Sequence, residues 1–363
     1  MDAQKGVLNY FCKSEIKSKK LSLPSGILNY IEIQNQSVDS SSNKSTLVLT
    51  HGYGSGLGFF YANYDALCSQ YDRVVAVDWL GMGASSRDAN IAKPISRGAC
   101  STTSWCHGTT MAPTKAAEFF IDSLEELRVE LGITSFVLAG HSLGGYLSGR
   151  YAHKYPNEIK GLVLISPVGV PAWPHKESII PSSNMSFGYQ LLNSAWKGNI
   201  TPQSLIRIVG ASKGGEVVRN ILQRRFGKGK FNEKEVQLLS EYLYQISVAK
   251  PCGEFAMNSL LLPIISDQGG GTAAQSTSVF AHEPLEILFR EGGALNIPSV
   301  LVMYGDHDWL RYPKIEQCLR RWERESGVAA TYELIPQAGH HLYLDNPGHF
   351  HRIMGQYKHS VYS

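Results

Sequence analysis

The stretch LAGHSLGGYLSGR, residues 138–150, decides the fold. Within it Ser142 stands between Gly140 and Gly144, where an apolar run gives way to a helical pattern. This G-x-S-x-G pattern is typical of a nucleophile elbow, a sharp strand-to-helix turn that lifts a serine hydroxyl into a cleft. The glycines are needed because strand and helix cross too closely there for larger side chains. The stretch predicts a nucleophile at Ser142, with a tight structural turn as the alternative.

Short apolar, β-branched runs recur on both sides of this stretch, each closed by glycine, aspartate or proline. Near-continuous runs of this kind are typical of strands buried on both faces of a parallel sheet. Together with an amphipathic helix at Ala117–Leu131, they predict an α/β fold with a mostly parallel, doubly wound sheet. Ile27–Ile33 alternates instead, which predicts an early antiparallel hairpin with residues 37–45 as its polar connection. The predicted parallel strands are Thr46–Thr50, Arg73–Asp78, Ser135–Gly140, Gly161–Pro167, Ser299–Asp306 and Ala330–Pro336.

The strand–helix alternation stops from about Pro171 to Ile297, where the pattern is mostly helical. Two glycine-containing polar segments there, residues 207–215 and 266–278, are predicted to be mobile loops. Because recognisable strands lie on either side, we interpret this stretch as a helical cap inserted over the carboxyl edge of the sheet. The predicted organisation is a first core segment, the cap and a second core segment, at residues 1–170, 171–297 and 298–363.

The composition narrows the class of protein. With 363 residues, 43% of them hydrophobic, one large α/β domain with an insertion competes with two domains. A net charge of +3 without a long basic block argues against a nucleic-acid partner. Neither a signal-peptide core nor an uninterrupted apolar window of about 18 residues occurs. We therefore expect an intracellular protein, cytoplasmic or peripherally bound to a membrane, and its six scattered cysteines fit reduced thiols.

A serine needs a base and an orienting acid to act as a nucleophile at neutral pH. After an elbow of this kind they are expected in the order acid, then histidine, at the ends of late strands. Asp308 follows one such strand and is the favoured acid, with Asp306 as the alternative. His340 follows the last strand and is the favoured base, with His341 as the alternative.

The fourth part of such a site is a pair of backbone N–H groups that hold an oxyanion. The sequence HGYG at residues 51–54 directly follows a buried strand, and its glycines let the backbone approach a substrate. We expect the N–H of Tyr53 to pair with that of Leu143, which follows the serine; an ordinary glycine-rich turn is the alternative. Four features in this order predict a catalytic serine more specifically than any one alone.

Six segments spread over residues 47–350 resemble a lipid-acting branch of the α/β-hydrolase superfamily. This branch includes lysophosphatidic acid acyltransferases, N-acylphosphatidylethanolamine lipases, cardiolipin-specific deacylases and a lipase coactivator that lacks the serine. The resemblance implies the α/β-hydrolase fold, a nucleophile at Ser142 and a base at His340. It also places the branch's H-x4-D pattern, associated with acyl transfer, on His340 and Asp345; capping a helix or orienting His340 is the alternative role of Asp345. The segments are HGYGSGLGFFYANYDAL (51–67), DWLGMGASSR (78–87), FFIDSLEELR (119–128), GHSLGGYLSGRYAHKYP (140–156), LISPVGVP (164–171) and GHHLYLDNP (339–347).

The predicted cap contains a basic run and two apolar segments. Arginine forks match phosphate oxygens, so the basic run could contact a head group, with a solvated helix face as the alternative. The apolar segments at residues 204–209 and 258–265 are candidates for an acyl channel or for contact with a lipid surface, and core packing is an equal alternative. The basic residues are Arg219, Arg224, Arg225, Lys228 and Lys230.

These features predict a serine-dependent acyl-ester enzyme that acts on glycerophospholipids or lysophospholipids through an acyl-enzyme. Transfer of the acyl group to water makes it a phospholipase or lysophospholipase. Transfer to a lysolipid hydroxyl makes it a lysophosphatidic acid acyltransferase, with acyl-CoA as co-substrate. We expect no metal or organic cofactor. We expect peripheral contact with a membrane or lipid droplet. The alternatives are a hydrolase of soluble substrates, such as an aminopeptidase or small-ester hydrolase, and a non-enzymatic lipid-surface scaffold.

Overall fold

An eight-stranded sheet lies between two layers of helices in the computed structural model of the chain. The structure describes residues 2–35, 45–87, 111–172, 190–191, 194–196, 198, 200–227, 230–267, 275–291, 297 and 299–363. Its strands are β1 (Ser18–Leu23), β2 (Gly26–Gln34), β3 (Thr46–Thr50), β4 (Arg73–Val77), β5 (Phe136–His141), β6 (Ile159–Ile165), β7 (Leu261–Asp267), β8 (Gln275–Ala281), β9 (Ser299–Gly305) and β10 (Ala329–Ile335).

One helix precedes β1, and the others occupy the connections between the strands and the carboxyl end of the chain. They are α1 (Asp2–Phe11), α2 (Tyr64–Gln70), α3 (Pro113–Glu130), α4 (Leu143–Lys154), α5 (Pro202–Val209), α6 (Ala211–Phe226), α7 (Glu233–Val248), α8 (Met257–Leu260), α9 (Leu285–Glu291), α10 (Ile315–Ser326), α11 (Leu342–Asp345) and α12 (Pro347–Tyr362). No helix in the described part of the chain is both long and apolar enough to cross a membrane.

The strand order of the large sheet is β1-β2-β4-β3-β5-β6-β9-β10. The pairs β1–β2 and β2–β4 are antiparallel, and every other neighbouring pair is parallel. The predicted α/β fold with a mostly parallel sheet is therefore confirmed. Because parallel strands point the same way, the carboxyl ends of β3, β5, β9 and β10 meet at one edge of the sheet.

The sheet is buried on both faces, which explains the near-continuous apolar runs of its strands. In β5, Phe136 and Leu138 pack into one apolar core, whereas Val137 and Ala139 pack into the core on the opposite face. Helices α3 and α4 cover the first face, and α2 and α12 cover the second. The sheet thereby holds the ends of its central strands in fixed positions.

The early hairpin differs from its prediction. Strand β2 pairs with β1 through a turn at residues 24–25, and with β4 on its other side. Residues 37–45 lead from β2 to β3 and do not connect a hairpin; residues 36–44 lie outside the described ones. Strand β1 is a polar sheet edge with mostly exposed or half-buried side chains, so no apolar run indicated it.

The chain between β6 and β9 contains helices α5 to α9, as the predicted cap requires, and also the antiparallel hairpin β7–β8. The loop prediction for residues 207–215 is wrong, as is that for both ends of residues 266–278, whose middle part 268–274 lies outside the described residues. Residues 207–215 belong to α5 and α6, which only Gly210 separates, and residues 266–267 and 275–278 belong to β7 and β8. One glycine of α6 has a packing reason: a Cβ at Gly214 would lie 2.8 Å from the Tyr244 ring. The boundaries 171 and 297 of the cap stay a prediction.

Candidate active site

Ser142 lies between β5 and α4 with φ 57° and ψ −116°, a conformation that side-chain-bearing residues rarely adopt. The flanking glycines are sterically required. A Cβ at Gly140 would lie 2.3 Å from the carbonyl oxygen of Gly144, and a Cβ at Gly144 would lie 2.5 Å from that of His51. This turn is the elbow that the sequence predicts, and it presents the serine hydroxyl to a cavity.

His340 bridges Ser142 and Asp308. Its Nε2 lies 3.0 Å from the Oγ of Ser142, and its Nδ1 lies 3.1 Å from Oδ1 of Asp308. Asp308 is buried, and its Oδ1 also accepts the backbone N–H of Leu310 at 2.9 Å. These three side chains come from the ends of β5, β9 and β10, and the structure joins them in the arrangement of a serine, a base and an orienting acid.

The two alternative residues take other positions. Asp306 accepts the backbone N–H groups of Gln337 and Ala338, each at 3.0 Å, and so ties the β9 and β10 loops together. Although desolvation opposes its ionisation, these N–H groups lower the pKa of Asp306 to about 2. His341 packs against Phe59 and contacts Arg225. Desolvation, with His141 and Arg225 nearby, holds the pKa of His341 well below its usual range.

The HGYG loop lies directly against the serine. A Cβ at Gly52 would lie 2.9 Å from the Cβ of Ser142, so only glycine allows this approach. Tyr53 and Leu143 line the same cavity as Ser142. In the part of the chain that the structure describes, neither backbone N–H donates a hydrogen bond to another group of the backbone. Neither N–H group is therefore engaged by the backbone of the described residues.

Asp345 lies at the end of α11 and outside the described cavity lining. Its Oδ2 accepts the backbone N–H of Gly339, the residue before His340, at 3.0 Å. Its Oδ1 pairs with Nζ of Lys230 at 3.1 Å. Asp345 thus braces the loop that carries His340.

The sequence reasoning missed His141, the x residue of the elbow motif. Its Nε2 lies 2.9 Å from the carbonyl oxygen of His340 and must carry the proton, because a carbonyl only accepts. Burial, followed by the neighbouring His340, holds the pKa of His141 well below its usual range, so the ring is neutral. A histidine ending the otherwise apolar strand FVLAGH was the available signal.

The cavity in front of Ser142 has a volume of about 360 Å³. Its wall is mainly apolar and combines side chains from both core segments and from the predicted cap. No acidic side chain is among the described residues that line it. The apolar lining residues are Leu143, Val168, Trp196, Ile200, Pro202, Met257, Leu261, Val279, Trp309 and Leu310.

Only one of the three candidate arginines lines the described cavity. Arg225 lines the cavity and contacts the neutral ring of His341. Arg219 pairs with Glu233 at 2.7 Å, and neither it nor Arg224 belongs to the described lining. Of the other basic candidates, Lys230 is engaged by Asp345, and Lys228 lies outside the described residues.

The two apolar segments of the cap also separate. Segment 258–265 contributes Asn258 and Leu261 to the cavity wall, while Leu260 is buried in the core. Segment 204–209 forms most of α5, and Leu205 and Ile208 on it are exposed. The first segment therefore faces the cavity, and the second faces outward.

The chain matches the family described as the alpha/beta hydrolase fold over residues 45–347. It is 31% identical over 318 residues to the 1-acylglycerol-3-phosphate O-acyltransferase of Arabidopsis thaliana. This alignment covers 86% of this chain and 66% of the acyltransferase. It thus spans about two thirds of that relative's length. It is 28% identical over 346 residues to the (lyso)-N-acylphosphatidylethanolamine lipase of Homo sapiens, covering 92% of this chain and 87% of the lipase.

Solved structures show the same fold at lower sequence identity. The naproxen esterase from Bacillus subtilis superimposes with a TM-score of 0.59 at 17% identity, covering 98% of this chain and 95% of the esterase. The resemblance stated from the sequence motifs is confirmed by these matches, and so is the predicted fold.

Proposed function

Since the chain belongs to the alpha/beta hydrolase fold family and its relatives are named as lipid lipases and acyltransferases, we propose that it is a serine-dependent acyl-ester enzyme acting on glycerophospholipids or lysophospholipids. The observation that carries the proposal is the relay from Ser142 through His340 to Asp308 at the wall of an apolar cavity. The relay supplies a nucleophile, and the apolar wall of the cavity can accommodate an acyl chain.

In the proposed mechanism, Oγ of Ser142 attacks the ester carbonyl while Nε2 of His340 removes its proton. The same nitrogen then protonates the leaving alcohol oxygen, which leaves the acyl group on the serine. Asp308 holds the imidazole in the tautomer that carries its proton on Nδ1, and stabilises the imidazolium formed in both steps. This chemistry needs no metal or organic cofactor.

The oxyanion of the tetrahedral intermediate would be held by the backbone N–H groups of Tyr53 and Leu143. A donor of this kind typically stabilises the transition state by about 2.7–4 kcal/mol. Water resolves the acyl-enzyme in hydrolysis. In transfer, Ser142 would instead take the acyl group from the thioester of acyl-CoA, with the CoA thiol as the protonated leaving group, and a lysolipid hydroxyl would then resolve the acyl-enzyme. Asp345 braces the backbone before His340, which supports the orienting role for it.

The composition of the cavity supports a substrate with one acyl chain and an anionic head group. Aliphatic and tryptophan side chains cover most of the wall, and Arg225 adds a cation whose described partner is a neutral imidazole rather than a carboxylate. A phosphate oxygen would supply the counter-charge. We further propose that the protein meets such substrates as a peripheral membrane protein.

The cavity supports the two alternatives less well. An aminopeptidase needs acidic groups for the substrate's α-amino group, whereas the described lining contains none and includes Arg225. A non-enzymatic scaffold has no use for the strained Ser142 conformation or for the His340 bridge, and such strain clusters at functional sites.

The test compares purified wild type with Ser142→Ala on mixed phospholipid and lysophospholipid vesicles, with and without acyl-CoA, by analysis of the lipid products. Serine-dependent release of fatty acid without acyl-CoA identifies a lipase. Serine-dependent diacyl product that requires acyl-CoA identifies a transferase. If the two proteins give the same products on every lipid, the proposed function is wrong.

A fluorophosphonate probe separates the remaining cases. Labelling of wild type but not of Ser142→Ala, without lipid turnover, would point to a hydrolase of soluble substrates. Absence of labelling in both would favour the scaffold.

A further inference from the structure

Helix α5 presents an apolar face to solvent. Leu205, Ile208 and Val209 are 57%, 77% and 43% exposed, and their spacing of three and four residues places them on one side of the helix. The other side contains Ile206, which is buried where α6 passes: a Cβ at Gly214 would lie 3.6 Å from its Cγ2. A contiguous group of exposed aliphatic side chains indicates an interaction surface.

Helix α6, which follows α5 directly after Gly210, adds positive charge. Lys213, Ile221 and Arg224 are exposed and recur at helical spacing along one side of α6. Only Gly210 separates the two helices, so Lys213 follows Val209 by four residues.

The charge of these two helices is concentrated. Residues 202–226 contain five basic residues and one acidic residue, and are therefore more positive than the whole chain, whose net charge is +3. Arg207 and Arg219 are ion-paired with Glu254 and Glu233. Lys213 and Arg224 form no ion pair in the described part of the chain, so their charges remain available to an anionic partner.

This surface leads into the cavity in front of Ser142. Ile200 and Pro202 line the cavity and run directly into α5. Arg225, the residue after Arg224, lines it as well. A molecule bound along α5 and α6 therefore lies beside the route to the serine.

We propose that these residues form a docking face that binds the surface of an anionic lipid bilayer. The docking face consists of Leu205, Ile208, Val209, Lys213, Ile221 and Arg224. Its aliphatic side chains would insert at the boundary between head groups and acyl chains, while its cations attract anionic head groups. A bilayer fits better than a second copy of this chain, because two copies would bring their unpaired cations together. The role of the face in substrate delivery rests on the proposed function.

The experiment measures co-flotation of the full chain carrying Ser142→Ala with vesicles, so that lipid turnover does not change the surface. Vesicles of phosphatidylcholine alone are compared with vesicles that also contain phosphatidylglycerol. We expect stronger binding to the anionic vesicles, weakening as salt screens the cations. Adding Leu205→Ser, Ile208→Ser and Val209→Ser together should weaken binding about tenfold or more, since three apolar side chains lose their burial.

Two further variants test the parts of the proposal. Lys213→Gln with Arg224→Gln should remove the preference for anionic vesicles and the salt dependence. The matched control changes three exposed aliphatic residues elsewhere in the fold and should bind like its parent. The control residues are Ile27, Val129 and Leu334, each changed to serine.

Equal binding by the α5 serine variant and its parent would overturn the docking face, as would binding that ignores vesicle charge. Self-association that the serine variant abolishes, without vesicle binding, would identify the face as a contact between copies and also overturn it. Turnover of a monomeric short-chain ester by the chain with Ser142 intact is measured in parallel. Vesicle binding without ester turnover would reject the proposed function alone, and turnover without binding would reject the docking face alone.

Discussion

The ring of His141 is hydrogen-bonded to the backbone of His340: its Nε2 donates to the His340 carbonyl oxygen at 2.9 Å. The centroids of the two imidazole rings lie 4.7 Å apart. The residue before the elbow serine therefore holds the loop that carries the candidate base. This contact links the end of β5 to the loop after β10 independently of the serine itself.

The His141 contact predicts a positioning role. His141→Phe should lower kcat about tenfold with little change in KM, because one hydrogen bond of roughly 1–1.5 kcal/mol no longer fixes the His340 backbone. His141→Gln keeps an N–H near the carbonyl and should recover most of kcat. Steady-state kinetics on a monomeric ester give both values. Equal losses in the two variants would indicate that only the packing of the ring matters.

Asp308 and Asp306, the two aspartates after β9, should differ in their effect on kcat. Asp308→Asn should lower kcat on the order of 10⁴-fold, as expected when the residue that fixes the tautomer of a catalytic histidine is neutralised. Asp306→Asn should keep kcat close to wild type, since Asp306 binds backbone N–H groups of residues 337 and 338. Both variants are assayed on the same ester. A larger loss of kcat in Asp306→Asn would reverse the proposed assignment.

Asp306 should instead affect stability in a pH-dependent way. Its pKa falls from an ordinary value of 3.8 to about 2 in the fold, so its ionised form stabilises the native state above about pH 4. This contribution is lost as the pH falls from 3.8 towards 2. Urea unfolding should therefore show Asp306→Asn less stable than wild type at neutral pH, with the difference shrinking below pH 4. A difference that stays constant through this range would contradict the prediction.

Arg225 should select anionic substrates. Arg225→Gln should raise KM about tenfold or more for a monomeric short-chain phosphate-bearing ester, because a charged hydrogen bond of roughly 1.5–3 kcal/mol is lost. A neutral ester of the same chain length should be unaffected. Arg224→Gln is the matched control on these monomeric substrates, since Arg224 itself lies outside the described cavity lining. If Arg225→Gln changed both substrates alike, the arginine would have no role in head-group choice.

The glycines of the elbow should be essential for stability, unlike a glycine of α6. A Cβ at Gly140 would lie 2.3 Å from backbone and 2.5 Å from Oγ of Ser148, so Gly140→Ala should lower the free energy of unfolding by about 1–3 kcal/mol or more. At Gly215 a Cβ meets nothing within 4 Å, and Gly215→Ala should raise it by about 0.5–1 kcal/mol. Chemical denaturation measures both. Similar effects at the two positions would contradict the steric explanation.

The sequence predicts the parallel strands well because a strand buried on both faces must be apolar along its length. All six predicted parallel strands lie within two residues of their observed bounds. Strand β1 escaped notice because its edge position allows polar side chains. The sequence predicts a loop at residues 207–215, where α5 ends and α6 begins, because the glycines around residue 210 suggest flexibility, whereas Gly214 is required by the close Tyr244 ring.

For the candidate site, chain order and position after a strand were sufficient to select Ser142, Asp308 and His340, which the structure brings together. Nothing in the sequence distinguished Arg225 from Arg219, because both lie on one helix and only its packing decides which side chain reaches the cavity. The hydrogen bond from His141 was equally inaccessible, since it depends on the path of a loop 199 residues away in the chain.

Strands β6 and β9 are hydrogen-bonded neighbours, although more than a hundred residues separate them in the chain. The chain between them therefore leaves the sheet at the end of β6 and returns to the neighbouring strand β9. We call this stretch an excursion, because the strands at its two ends lie side by side. All three residues of the proposed relay lie outside that excursion, while Arg225 and much of the cavity wall lie within it. Sequence changes in that one stretch can therefore alter which substrate enters the cavity without altering the proposed catalytic residues. Exchanging the stretch between relatives should transfer substrate preference while the type of reaction stays the same.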